Sequence, residues 1–208
     1  VRDIDDFAIW YTPGVAAPCR AIEADPELVY DHTNKWNTVA VISDGTRVLG
    51  LGDIGPKAGL PVMEGKALLY KYLGGVDGVA IMLDTKDPDK NIETVFQLQP
   101  SFCCITLEDL TPPTCFRILD TLREQAEIPV WHVDKQCTAT VTLAGLMNAL
   151  KLVGKKKEDV RITFVGSGAS NVACSRLAFG WGVDPTNCMM VDSKGILGPH
   201  RKDLEVRR

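Results

Sequence analysis

Three carboxylates and a lysine carry most of the chemistry this sequence could do. Glu108 and Asp109 stand together after the apolar run "SFCCITL", and Asp134 follows "IPVWHV". In layered α/β proteins, ligands gather beyond the carboxyl ends of the strands. Neighbouring strand ends would therefore bring three hard oxygen donors together, a set suited to Mg²⁺ or Mn²⁺. Acids ahead of helices also act as caps, and spacing alone leaves both roles open. Lys66 falls early in the helical stretch "GKALLYKYLGG". Positive charge is disfavoured near a helix N-terminus, which suits a lysine acting as general base, although a solvent-facing lysine reads the same way. Tyr11 precedes a Pro13-Gly14 turn, which would either hold its hydroxyl beside a pocket or simply pack the ring.

Two glycine runs compete for a dinucleotide. Gly50-Leu51-Gly52-Asp53-Ile54-Gly55 matches G-x-G-x-x-G letter for letter. That motif needs a helix at once, so that pyrophosphate meets the helix N-terminus. Pro56, Gly59 and Pro61 argue against a helix there. The second run has the better setting. Val160 to Val165 reads as a short buried strand, followed by Gly166-Ser167-Gly168, a helical stretch from Ala169 and a strand "CMMVD" ending at Asp192. Asn171 takes the place of the third glycine. An acid about 20 residues past the glycines can bind a ribose hydroxyl and disfavours a 2′-phosphate, so NAD is expected. Ser193 and Lys194 soften that repulsion and admit NADP. An ordinary βαβ unit with a tight turn would share these features.

The elements that must position these residues alternate. Strand-like "TVAVISD", "GVAIML", "SFCCITL" and "IPVWHV" are interleaved with helix-like "GKALLYKYLGG", "DKNIETVFQLQP", "TCFRILDTLREQ" and "TATVTLAGLMNALKLVG". This order predicts an α/β fold with a largely parallel sheet. The charged break at Lys155 divides the chain into a first domain, 1–154, and the first part of a Rossmann-type dinucleotide domain, 155–208. A complete dinucleotide domain has two such halves, so the chain is expected to be cut short at its C-terminus.

Composition narrows the partners. Of 208 residues 45% are hydrophobic and 24% charged, as in an ordinary globular protein. A net charge of −4 favours neither nucleic acid nor an anionic membrane. No apolar run approaches the roughly 20 residues of a membrane span, and the acidic start is no signal peptide. Seven cysteines without C-x-x-C spacing predict reduced thiols in a cytoplasmic protein.

Taken together, "YTPGVAAPC", "VISDGTRVLGLGDIGPKAGLPVMEGKALLY", "ITLEDL" and "VGKKKEDVRITFVGSGA" resemble the malic enzyme family over nearly the whole chain. The resemblance implies that the early glycine run shapes the floor of the substrate pocket, and that the dinucleotide goes to Gly166, Gly168, Asn171 and Asp192. It implies malate bound through Arg47 and a divalent cation on Glu108, Asp109 and Asp134. Lys66 would take the C2 hydroxyl proton and Tyr11 would protonate C3, giving pyruvate and CO₂ with reduction of NAD or NADP. A homodimer or higher homo-oligomer is implied as well. Two positions depart from the family pattern: Val133 stands where a second aspartate is usual, and Cys137 where a glycine is usual. Those departures keep open an oxaloacetate decarboxylase or malolactic-type enzyme, or a degenerate subunit that binds a carboxylate without turnover.

Overall fold

A computed structural model describes residues 1–204; residues 205–208, which close the second block, lie outside that description. The chain opens with three short helices, α1 (Phe7–Trp10), α2 (Ala16–Ala24) and α3 (Val29–His32). Next come β1 (Thr38–Ser43), α4 (Pro56–Gly74), β2 (Asp77–Met82), α5 (Pro88–Leu98), β3 (Cys104–Leu107), α6 (Thr114–Gln125), β4 (Val130–His132) and α7 (Thr138–Val153). The four strands form one sheet in the order β2-β1-β3-β4, every pair parallel. Parallel strands covered on both faces read as unbroken apolar runs, and "TVAVIS" is such a run, buried from Val39 to Ser43. Ala40, Ile42, Ile105 and Leu107 pack with Ile92 and Val95 of α5 and with Phe116, Leu119 and Leu122 of α6. The alternate side chains point the other way, where the Tyr70 hydroxyl of α4 lies 2.9 Å from Thr106 Oγ1.

A second, three-stranded sheet follows. β5 (Ile162–Val165) pairs parallel with β6 (Cys188–Asp192), which pairs antiparallel with β7 (Gly195–Ile196), and α8 (Ala169–Trp181) makes the crossover. The expectation of a buried β5 fails: Phe164 is buried, but Val165 is 77% exposed. β5 is the outer strand of this sheet, and no described element covers the face that Val165 presents.

The expectation that Pro56, Gly59 and Pro61 forbid a helix is also overturned, since α4 runs through all three. Pro56 takes the first helical position, where no N–H is needed. Pro61 costs only the bond to the Lys57 carbonyl, one turn from the helix start and beside an exposed residue. Lys66 therefore sits mid-helix, and the argument from a helix N-terminus does not apply to it.

The Asp44-Gly45 turn after β1 is tightly made. Gly45 has φ +72°, and a Cβ there would lie 2.3 Å from the Gly55 carbonyl oxygen. The Gly55 N–H donates to the Gly45 carbonyl at 3.1 Å, tying the end of the early glycine run back to this turn. Gly45→Ala combines a strained φ with a backbone collision, so chemical denaturation is expected to show a loss of about 2–4 kcal/mol.

Candidate functional site

The three strand-end acids converge. Glu108, Asp109 and Asp134 each offer a carboxylate oxygen, all within 4.8 Å of one another. β3 and β4 are parallel neighbours with Leu107 opposite His132, so the chain leaves both strands at the same edge. Capping does not explain the acids: neither α6 nor α7 receives a side-chain cap bond. Instead Asp134 sits in a π-helical turn (Val133–Cys137) ahead of α7 and accepts from the Asp109 N–H at 3.2 Å.

Asp109 is held in the left-handed region at φ +54°. A short polar residue tolerates this conformation, and here the early glycine loop enforces it. The Arg47 N–H donates to the Asp109 carbonyl at 3.0 Å, and the Leu49 backbone favours the charged form of its carboxylate. The loop is itself anchored by buried Asp44, which accepts from the Thr46 N–H and hydroxyl at 3.0 and 2.6 Å. Thr46 Oγ1 in turn accepts from the Thr111 N–H at 3.0 Å.

Electrostatically the three acids outnumber the one cation in contact with them, Lys66. Burial, more than the neighbouring acids, pushes Glu108 up to about 7 and Asp109 up to about 6, and raises Asp134 as well. Glu108 Oε2 and Asp109 Oδ2 are buried with no hydrogen-bond partner. Unpaired buried carboxylate oxygens are costly, and a divalent cation would satisfy them. Lys66 Nζ lies 3.3 Å from Glu108 Oε1, with 24% of its side chain exposed. This pairing crosses 42 positions in sequence, and no local pattern announces it. With Val133 where a second aspartate is usual, the carboxylate that Lys66 contacts is Glu108. Cys137 has an ordinary right-handed backbone, φ −63° and ψ −50°, so no glycine is needed at that turn. Its sulfur accepts from Trp131 Nε1 at 2.9 Å.

The second glycine run faces the acids. A cleft of about 630 Å³ is lined by Arg47, Glu108, Asp109 and Asp134 on one side and by Ser167 to Asn171 on the other. Ser170 Oγ ties the two sides together by donating to the Asp134 carbonyl at 2.7 Å. Gly166 has φ +103° and Gly168 precedes α8. Asn171, in place of a third glycine, donates to the Val165 and Gly166 carbonyls at 2.7 and 3.1 Å and so pins the turn. Asn171→Ala removes both bonds and is expected to cost about 1–2 kcal/mol in urea denaturation.

Four candidates do not line this cleft: Gly166, Asp192, Tyr11 and Lys66, which reaches it only through Glu108. Asp192 stands at the end of β6 in an adjoining cleft of about 560 Å³ with Ser167, Arg176, Lys194 and Arg201. Both its oxygens accept from the Arg201 guanidinium at 3.1 Å, so a ribose hydroxyl would share them. Tyr11 is 68% exposed and does not line the acid cleft.

Residues 2–91 match the family model for the malic enzyme N-terminal domain. The chain is 50% identical over 203 residues to the NAD-dependent malic enzyme of Geobacillus stearothermophilus, covering 98% of this chain and 42% of that protein. It is 48% identical over 192 residues to the NADP-dependent malic enzyme of Escherichia coli strain K12, covering 92% and 25%. The crystal structure of malic enzyme from Pyrococcus horikoshii superposes with a TM-score of 0.90 at 49% identity, over 97% of this chain and 46% of that one. The chain thus spans less than half the length of these relatives.

Proposed function

Because the chain belongs to the malic enzyme family, we propose that the protein oxidatively decarboxylates malate to pyruvate and CO₂ with NAD or NADP as hydride acceptor. One observation supports this most: the acid cluster and the glycine turn before α8 line a single cleft. A substrate held at the acids would face a cofactor held at the turn.

In this reading the residues divide the work. Arg47, whose side chain borders the cleft, binds a malate carboxylate, for which a guanidinium fork is suited. Lys66 Nζ takes the proton from the C2 hydroxyl, and Tyr11 returns a proton to C3. Glu108, Asp109 and Asp134 would hold Mg²⁺ or Mn²⁺, and their unpaired buried oxygens fit such an ion. Such a cation would supply Lewis-acid polarisation at the C2 oxygen. Gly166 and Gly168 would take the dinucleotide pyrophosphate at the α8 N-terminus, with Asn171 bracing the turn. A Rossmann-type unit from Lys155 onward fits that role, and the first 154 residues then serve the substrate.

Cofactor choice turns on Asp192. Alone it would favour NAD. Its pairing with Arg201 offsets its charge and leaves room for NADP. No described helix is long and apolar enough to cross a membrane, and a cytoplasmic site of action suits described cysteines that are all free.

The test is incubation of the protein with Mn²⁺, malate and NAD or NADP, following absorbance at the reduced nicotinamide band and pyruvate by a coupled assay. Equimolar reduced cofactor and pyruvate are expected. Pyruvate from oxaloacetate without reduction, or lactate from malate, would replace this reading by a decarboxylase or malolactic one. Binding without turnover would make the chain a ligand-binding subunit.

A further inference from the structure

A cavity of about 290 Å³ opens where α6, the Val133–Cys137 turn and α8 meet, and it shares no lining residue with the acid cleft. α6 contributes Phe116, Leu119, Asp120 and Arg123, the i, i+3, i+4 and i+7 positions of one helix face. α8 adds Ala173, Arg176 and Leu177 with the same spacing, and Lys135 and Ala139 close the remaining side. Such a volume is at the low end for ligand pockets, so it suits a small molecule.

The lining is of two kinds. Phe116, Leu119, Ala139, Ala173 and Leu177 make an apolar wall. Arg123, Lys135 and Arg176 bring three cations against one acid, Asp120, among the described residues. An apolar wall alone would take any oily molecule, whereas the excess of positive charge selects an anion. A guanidinium fork matches the two oxygens of a carboxylate. Lys135 gives a second, independent sign. It is 5% exposed, and a lysine so buried is ordinarily paired with a counter-charge. Here Nζ donates to the Cys115 carbonyl at 3.2 Å and lies 3.8 Å from the centre of the Phe116 ring. Neither contact brings a full negative charge, and the ammonium has donors beyond the one that Cys115 uses.

Two of these cations lead back to the acids and the glycine turn. Lys135 directly follows Asp134 in the π-helical turn. Arg176 also borders the Asp192 cleft. A carboxylate held by Lys135 and by the arginines of α6 and α8 would fix the Asp134 turn against both helices. Ser170 of α8 already holds the Asp134 carbonyl at 2.7 Å, so the added tie would stiffen a connection that exists.

We propose that this cavity is an effector site for a small carboxylate with a hydrocarbon body, and that filling it tightens the hold of the acid cluster on its cation. The coupling rests on the metal role given above to Glu108, Asp109 and Asp134; the carboxylate site itself does not.

Calorimetry with octanoate as the probe tests this without turnover. In metal-free protein octanoate is expected to bind with a Kd of about 1 mM or below. Octanol, which lacks the charge, and inorganic phosphate, which lacks the hydrocarbon, should each bind at least about 10-fold more weakly. Arg123→Glu and Arg176→Glu, both at exposed positions, should each weaken octanoate by about 10-fold or more with unchanged circular dichroism. In a second titration, saturating octanoate should tighten Mn²⁺ by about fivefold, and saturating Mn²⁺ should tighten octanoate by the same factor. No octanoate binding, equal binding of octanol or phosphate, binding that survives both charge reversals, or a measurable Mn²⁺ affinity that octanoate leaves unchanged would each overturn the effector site. A protein that binds octanoate as described but no Mn²⁺ at all would instead refute the metal role of the acids and leave the carboxylate site standing.

Discussion

Lys66→Ala is expected to slow malate oxidation by about 100- to 10,000-fold, the usual contribution of a positioned general base. The loss should fall mainly on kcat, because Arg47 and the acids would still bind substrate. The variant also removes the cation that Glu108 contacts at 3.3 Å, leaving a buried carboxylate that is only 7% exposed without its counter-charge. Stopped-flow rates with saturating Mn²⁺ separate these effects: the metal replaces the lost charge but not the lost base. A kcat within a few-fold of the parent under those conditions would remove Lys66 from the proton transfer.

Asp109→Asn is expected to weaken Mn²⁺ binding by about 100-fold or more in calorimetry, since loss of a charged oxygen ligand should exceed the 10- to 100-fold typical of outer residues. A stability effect of opposite sign accompanies it. Burial raises Glu108 and Asp109 in the folded protein to about 7 and about 6, from ordinary carboxylate values of 4.5 and 3.8. The folded protein thus keeps protons that the unfolded chain has released. Stability from these groups is present at pH below the ordinary carboxylate values and is lost as pH rises through about 6 and about 7. The metal-free protein should therefore be weakened by them at pH 8, where added Mn²⁺ should raise Tm most. Glu108→Gln should stabilise the metal-free protein at pH 8 by about 1–3 kcal/mol, the gain from neutrality being reduced by the loss of Lys66 as a partner, while abolishing the Mn²⁺ response. Equal Mn²⁺ stabilisation at pH 5 and pH 8 would contradict the link between these acids and the ion.

Much of this protein follows from residue order alone. The alternation of β-branched runs with helical spacing determines a parallel α/β sheet, because each pattern has its own period and parallel strands need crossovers. Parallel strands also make their carboxyl ends coincide, so Glu108, Asp109 and Asp134 could be grouped from their positions after "SFCCITL" and "IPVWHV". Where the outcome depended on contacts distant in sequence, local rules misled or stayed silent. Pro61 reads as a helix breaker, yet α4 tolerates it because packing against β1 and β2 outweighs one lost hydrogen bond. Asn171 reads as a defect in a glycine motif, yet its amide finds two carbonyls that only the folded turn brings within reach. The left-handed Asp109, the Lys66–Glu108 contact and the Arg201–Asp192 fork join segments that the chain holds apart. Tyr11 shows the same division: its identity is written in the sequence, but its distance from the acid cleft is set by tertiary packing, which leaves its segment bare. Local propensities act within a few residues, whereas burial and charge pairing act through space, and the site of this protein is assembled by the second kind of force.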